Sequence, residues 1–139
     1  MPRRLLVPLD GSPQSREALD YAVEIFPDAE LVVVNVLNPA TRTAGVEGVL
    51  TETADVDAEQ RSFADELFEE AREIAGERIV ETEQLTGRAA NEIVTYATDH
   101  DIDAIVMGSH GRDGAARLLL GSVSETVVRR SPVPVTVVR

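Results

Sequence analysis

A chain of 139 residues, 43% of them hydrophobic, is long enough for one buried core and too apolar to be wholly disordered. Without cysteine it has no disulfide, thiolate metal site or thiol nucleophile. A net charge of −12 argues against nucleic acid or anionic lipid as partners, and no apolar run approaches the roughly 18–20 residues that span a bilayer. A cytoplasmic location is the default expectation. The apolar start is too short for a signal peptide and is cut off by Asp10.

Arg4 to Leu9 is a short apolar run, a buried first strand, ended by Asp10-Gly11-Ser12-Pro13. Ser12 is a good N-cap and Pro13 suits the first helical position. Ala18, Leu19, Ala22, Val23 and Phe26 then form one helical stripe, which Pro27-Asp28 stops. Glu30 to Leu37 is a Val-rich strand buried on both faces, so the first three elements make a parallel βαβ unit. Residues 38–56 read as a long loop, of a length that is often functional or mobile. Asp57 to Ala75 is an amphipathic helix with Phe63, Leu67, Ala71 and Ile74 as its apolar stripe, ended by Gly76. Arg78 to Thr86 alternates in polarity and reads as an edge strand. Ala90, Ile93, Val94 and Ala97 carry the next helix, ending near His100. Asp103 to Met107 is a fourth strand; Gly121-Ser122 opens a short helix; Val133 to Val138 is a last strand. This alternation predicts one α/β domain over residues 1–139, a doubly wound sheet with helices on both faces.

The charge is uneven. Residues 47–83 hold 13 acids and three Arg, whereas residues 104–139 hold two acids and five Arg. All the bases are Arg and none is Lys, a composition that reads as halophilic adaptation.

The net-basic stretch also carries the glycine pattern: Gly108-Ser109-His110-Gly111-Arg112, then Gly121-Ser122-Val123-Ser124. Gly108 and Gly111 would let backbone approach a ligand closely. Gly121-Ser122 at a helix start offers free N–H groups and the positive end of the helix dipole to a phosphate, and the Ser122 and Ser124 hydroxyls add donors. Arg112 and Arg117 in the intervening loop could face phosphate oxygens. The pattern is neither a Walker A loop nor the G-x-G-x-x-G fingerprint of dinucleotide folds.

The stretches Val7-Pro8-Leu9-Asp10-Gly11-Ser12, Val33-Val34-Asn35-Val36, Met107-Gly108-Ser109-His110-Gly111 and Leu119-Leu120-Gly121-Ser122-Val123-Ser124-Glu125 to Pro132-Val133-Pro134-Val135 together resemble the universal stress protein family, over essentially the whole chain. The resemblance implies a five-stranded parallel sheet of order 3-2-1-4-5, ATP binding, and a homodimer, here through the exposed last strand. Carried over by position, Asp10 and Val36 would hold the adenine and ribose end, Gly108 and Gly111 would approach ribose and phosphates, and Gly121, Ser122, Val123 and Ser124 would bind the phosphates. Pro8, Leu9, Met107, His110 and Arg112 complete the expected nucleotide-binding set. Ala89 departs from the family, in which Pro is frequent at the start of that helix. The implied role is regulatory: ATP or AMP, with any magnesium brought by the nucleotide. The rival readings are a nucleotide-free dimeric interaction module and a slow ATPase.

Other constellations are weaker. Ser109, His110 and Asp10 name a hydrolytic triad, but no nucleophile elbow supports it. Asp99-His100-Asp101 invites a metal, yet a His at a helix C-terminus simply suits the dipole. No catalytic or metal-ligating residue is assigned. Tyr21 and Tyr96 read as packing residues.

Overall fold

The computed structural model describes residues 3–39, 53–109 and 120–139. Its strands are β1 (Arg4–Pro8), β2 (Glu30–Leu37), β3 (Ile79–Thr86), β4 (Ala104–Gly108) and β5 (Val135–Val138). The helices that bear on the site are α1 (Pro13–Ile25), α2 (Thr53–Ala75), α3 (Ala89–Asp99) and α4 (Ser122–Arg130). The strands form one parallel sheet of order β3-β2-β1-β4-β5, as expected.

Alternation along the central strands builds two cores. Leu5, Val7, Leu31, Val33 and Val106 point to one face, where they meet Ala18, Leu19 and Ala22 of α1 and Ala64, Leu67, Phe68 and Ala71 of α2. Leu6, Val32, Val34, Ile105 and Met107 point to the other, against Ile93, Tyr96 and Ala97 of α3 and Val127 of α4. Strands buried on both faces need unbroken apolar runs, and β1, β2 and β4 supply them. β3 is an outer strand, bulged between its pairings with Leu31 and Val32, where Val80 is 48% exposed.

β1 ends at Pro8 rather than Leu9, β3 starts at Ile79 rather than Arg78, and three further elements differ from expectation. The second helix starts at Thr53 rather than Asp57; Leu67 and Ala71 of the expected stripe are buried, together with Ala64, Phe68 and Ala75, while Phe63 is partly buried and Ile74 is 37% exposed. Small alanines let the helix lie close to the sheet, which a count of large apolar residues overlooks. The last strand starts at Val135 rather than Val133. The Ser131 hydroxyl takes the Val133 N–H at 3.1 Å in a local turn, and Pro134 has no N–H to give. Asp103 lies before β4, its carboxylate accepting the Arg3 and Arg4 N–H groups at 3.0 and 2.9 Å. Of the expected 38–56 loop, residues 40–52 lie outside the described residues. Among the described residues no helix is long and apolar enough to cross a membrane.

Candidate nucleotide site

In an open parallel sheet the crevice forms where strand order reverses, beyond the carboxyl ends of the strands. Here that point lies between β1 and β4. β1 delivers Pro8, Leu9 and Asp10 to it, β4 delivers Met107 and Gly108, and Val36 lies near the end of β2, next to β1. His110, Gly111, Arg112 and Arg117 lie outside the described residues.

The turn after β1 is fixed locally. One Asp10 carboxylate oxygen, Oδ1, accepts the Ser12 N–H at 2.8 Å, and the Ser12 hydroxyl accepts the Ser15 N–H at 3.1 Å, capping α1. Gly11 has φ +87°, and a Cβ there would stand 2.9 Å from the Phe63 ring of α2. The positive φ by itself calls for glycine at position 11, and the Phe63 ring packs close against it.

Gly108 also has a close neighbour within the protein. A Cβ at this position would come within 2.8 Å of the Gln14 backbone, so its bare backbone admits the first turn of α1 against β4. The next residue ties down α4. The Ser109 carbonyl accepts the Gly121 N–H at 2.6 Å and the Ser124 hydroxyl at 2.6 Å. The chain leaving β4 is thereby pinned to the start of a helix twelve residues later.

Gly121 is the N-cap of α4 and offers no side-chain cap. Its own N–H is taken by Ser109, which leaves the Ser122, Val123 and Ser124 N–H groups as those without an intrahelical acceptor. Glu125 in the same turn is engaged by Arg129 at 2.8 Å. The arrangement suits an anion.

The buried polar side chains among the described residues are Ser12, Ser15, Asn35, Ser109 and Ser124, all near the carboxyl edge of the sheet. Asn35 was legible only as a strand residue; its signal is an amide amid a run of Val. Its Nδ2 donates to the Leu9 carbonyl at 2.8 Å. His100 stacks on Tyr96 with ring centroids 3.8 Å apart, and its Nδ1 lies 3.1 Å from the Tyr96 carbonyl. Among the described residues no group of three or more His, Cys, Asp or Glu is placed to hold a metal ion.

The sheet order defines a doubly wound α/β protein, with its polar crevice at the carboxyl pole of the sheet. The universal stress protein family model matches residues 1–139, and the chain belongs to that family. A universal stress protein of Methanocaldococcus jannaschii is 35% identical, with 99% of this chain and 82% of that one aligned. The universal stress protein YxiE of Bacillus subtilis is 33% identical over 98% of both. Among solved structures, UspA of Lactobacillus plantarum superposes with a TM-score of 0.79 at 29% identity, covering 99% of this chain and 97% of that one. A universal stress protein solved in complex with cAMP superposes at 0.70 with 26% identity, covering 99% and 97%.

Proposed function

We propose that this chain binds an adenine nucleotide, ATP or AMP, in the crevice between the ends of β1 and β4, and acts as a nucleotide-responsive regulator in the stress response. The observation that carries the reading is the junction of Ser109, Gly121 and Ser124, which sets the uncapped start of α4 at the end of β4. In this reading the N–H groups of Ser122, Val123 and Ser124 hold phosphate oxygens, Asp10 takes ribose hydroxyls, and the Val36 main chain meets the base. Gly111 and Arg112 would add to the phosphate end. The solved relative in complex with cAMP supports an adenine nucleotide as the ligand class. Magnesium would arrive on the phosphates, since the described residues offer no carboxylate cluster of their own.

The test is calorimetric titration of ATP, and separately AMP, into the protein in molar KCl, beside a Gly121→Asp, Ser122→Asp double variant. Binding by the natural chain that disappears in the variant is the expected result. Equal binding by both would remove the α4 site, and binding by neither would remove the function.

The reading includes a homodimer through β5. The Pro134 and Val138 carbonyls accept from Ile105 and Ser109, so alternate backbone groups of β5, those of Val135 and Val137, face away from β4. A second copy pairing there would cover the edge. Val137→Pro removes one outward N–H and leaves the β4 side intact; sedimentation should then report a monomer from a dimeric parent.

A further inference from the structure

Asn35 is 6% exposed, between Val34 and Val36 on β2. The β1–β2 register runs to Pro8 opposite Val34, and the Leu9 N–H still donates to the Val34 carbonyl at 2.8 Å. In a parallel ladder the next bond would run from the Val36 N–H to the Leu9 carbonyl. That carbonyl accepts from the Asn35 side-chain amide, and among the described residues no backbone N–H pairs with it. A carbonyl only accepts, so the amide nitrogen faces Leu9.

The other end of the amide is held as well. Gln84, the register partner of Asn35 on β3, directs its Nε2 to Asn35 Oδ1 at 3.4 Å and to the Gln60 carbonyl of α2 at 3.3 Å. Backbone groups alternate sides along a strand. Those of Val34 face β1, so those of Val36 do too. With the Leu9 carbonyl already satisfied, the Val36 N–H and C=O are directed into the gap where β1 and β2 part.

We propose that Asn35 is a positioning residue: it ends the β1–β2 ladder at Leu9 and so presents the Val36 main chain to the base of the nucleotide, setting a preference for adenine over guanine. The base half rests on the nucleotide reading above. Adenine offers an acceptor at N1 beside a donor at N6, which matches a main-chain N–H and C=O. Guanine reverses that order, with a donor at N1 and an acceptor at O6, and meets donor with donor.

Two variants of the full chain test this. Asn35→Leu keeps the approximate shape and removes the donor. In the nucleotide-free chain its Val36 amide should become more protected from hydrogen exchange, because it takes over the Leu9 carbonyl. In calorimetry its preference for ATP over GTP should fall about tenfold, the scale of one well-placed hydrogen bond. Asn35→Asp donates to Leu9 only while its carboxyl is protonated. Its ATP preference should therefore persist at acid pH and fade as pH rises, measured against the natural chain at each pH. An asparagine that merely supports the fold would lower the melting temperature of both variants and leave base preference and its pH profile unchanged, which overturns the proposal. Unchanged Val36 exchange in Asn35→Leu overturns the ladder half by itself. A natural chain that binds neither nucleotide overturns the proposed function and the base-selecting half, and leaves the exchange result to decide the ladder.

Discussion

The Ser124 hydroxyl and the Ser109 carbonyl lie 2.6 Å apart, and the same carbonyl also takes the Gly121 N–H. Ser124 is 2% exposed, so its hydroxyl is a buried donor with this bond as its shortest contact. Ser124→Ala should lower stability by about 1 kcal/mol, the net worth of one such bond. It should also weaken ATP binding, because the start of α4 is no longer held against β4. Thermal melts with and without ATP read both effects. A variant that melts normally and binds normally would mean that the Gly121 bond alone fixes the junction.

Gly108 faces the Gln14 backbone, which cannot swing aside as a side chain does. Gly108→Ala should push α1 away from β4 and destabilise by about 1–3 kcal/mol, the usual cost of overpacking. The urea midpoint measures this. An unchanged midpoint would show that α1 shifts freely.

Arg78 closes the C-terminal end of α1. Its guanidinium donates to the Val23 carbonyl at 2.8 Å, the Ala29 carbonyl at 3.1 Å, and the Phe26 carbonyl. Lysine cannot reproduce a planar fork spread over three acceptors. Arg78→Lys should cost roughly 1 kcal/mol or more, since partly buried carbonyls lose donors. Denaturant unfolding of the variant, with nucleotide affinity as the control, would separate this from any effect on the site. Affinity should hold, because Arg78 lies before β3, at the opposite end of that strand from the carboxyl pole.

Tyr96 carries a pH dependence. It is 3% exposed, and its phenol is pushed up to about 12, first by burial, then by the Glu81 and Glu83 carboxylates; Arg4 acts in the opposite sense. The folded chain therefore holds the phenol proton more tightly than the unfolded chain, whose value is the ordinary 10.0. Stability from this group is full below pH 10.0 and is lost as pH rises towards about 12. Tyr96→Phe should flatten that alkaline limb. Urea midpoints across the same interval check it, and parallel curves for the two proteins would contradict it.

Salt gives a further handle. With 25 acids against 13 bases, self-repulsion should be strongest at low ionic strength. The melting temperature should rise as KCl is added. A melting temperature indifferent to KCl would argue against the halophilic reading of the Lys-free composition.

The parts of this molecule that were legible in sequence are those set by near neighbours. Asp10, Ser12 and Pro13 announce the start of α1 because a cap is a local hydrogen bond, and the structure places it there. The Val-rich run of β2 announces burial on both faces. Type and spacing nominate the candidate site residues but not their partners. Gly108 reads in sequence as a glycine for a ligand, and the Gln14 backbone, 2.8 Å from where its Cβ would stand, is a second reason for it that spacing does not show. Asn35 and Arg78 act on partners 26 and about 50 positions away, and only the closed sheet brings them together. On α2 the expected Leu67 and Ala71 are buried, while Ala64 and Ala75 escape the pattern because alanine carries little weight in it yet decides how near a helix can lie.

The unequal burial of the strands also sets an order of opening. Leu5 to Val7, Leu31 to Val34, and Ile105 and Val106 are fully buried, whereas β5 is only partly covered along its length and β3 is partly exposed. The cooperative unit that opens last should be β1, β2 and β4, with the outer strands exchanging their amides first. The crevice stands at the end of that slow unit, on β1 and β4, and the phosphate end proposed for it is lent by α4, whose strand neighbour β5 belongs to the fast edge. A ligand held there would bridge a slow region and a fast one, so its binding energy would appear as slower exchange in β5 before any change in the central strands.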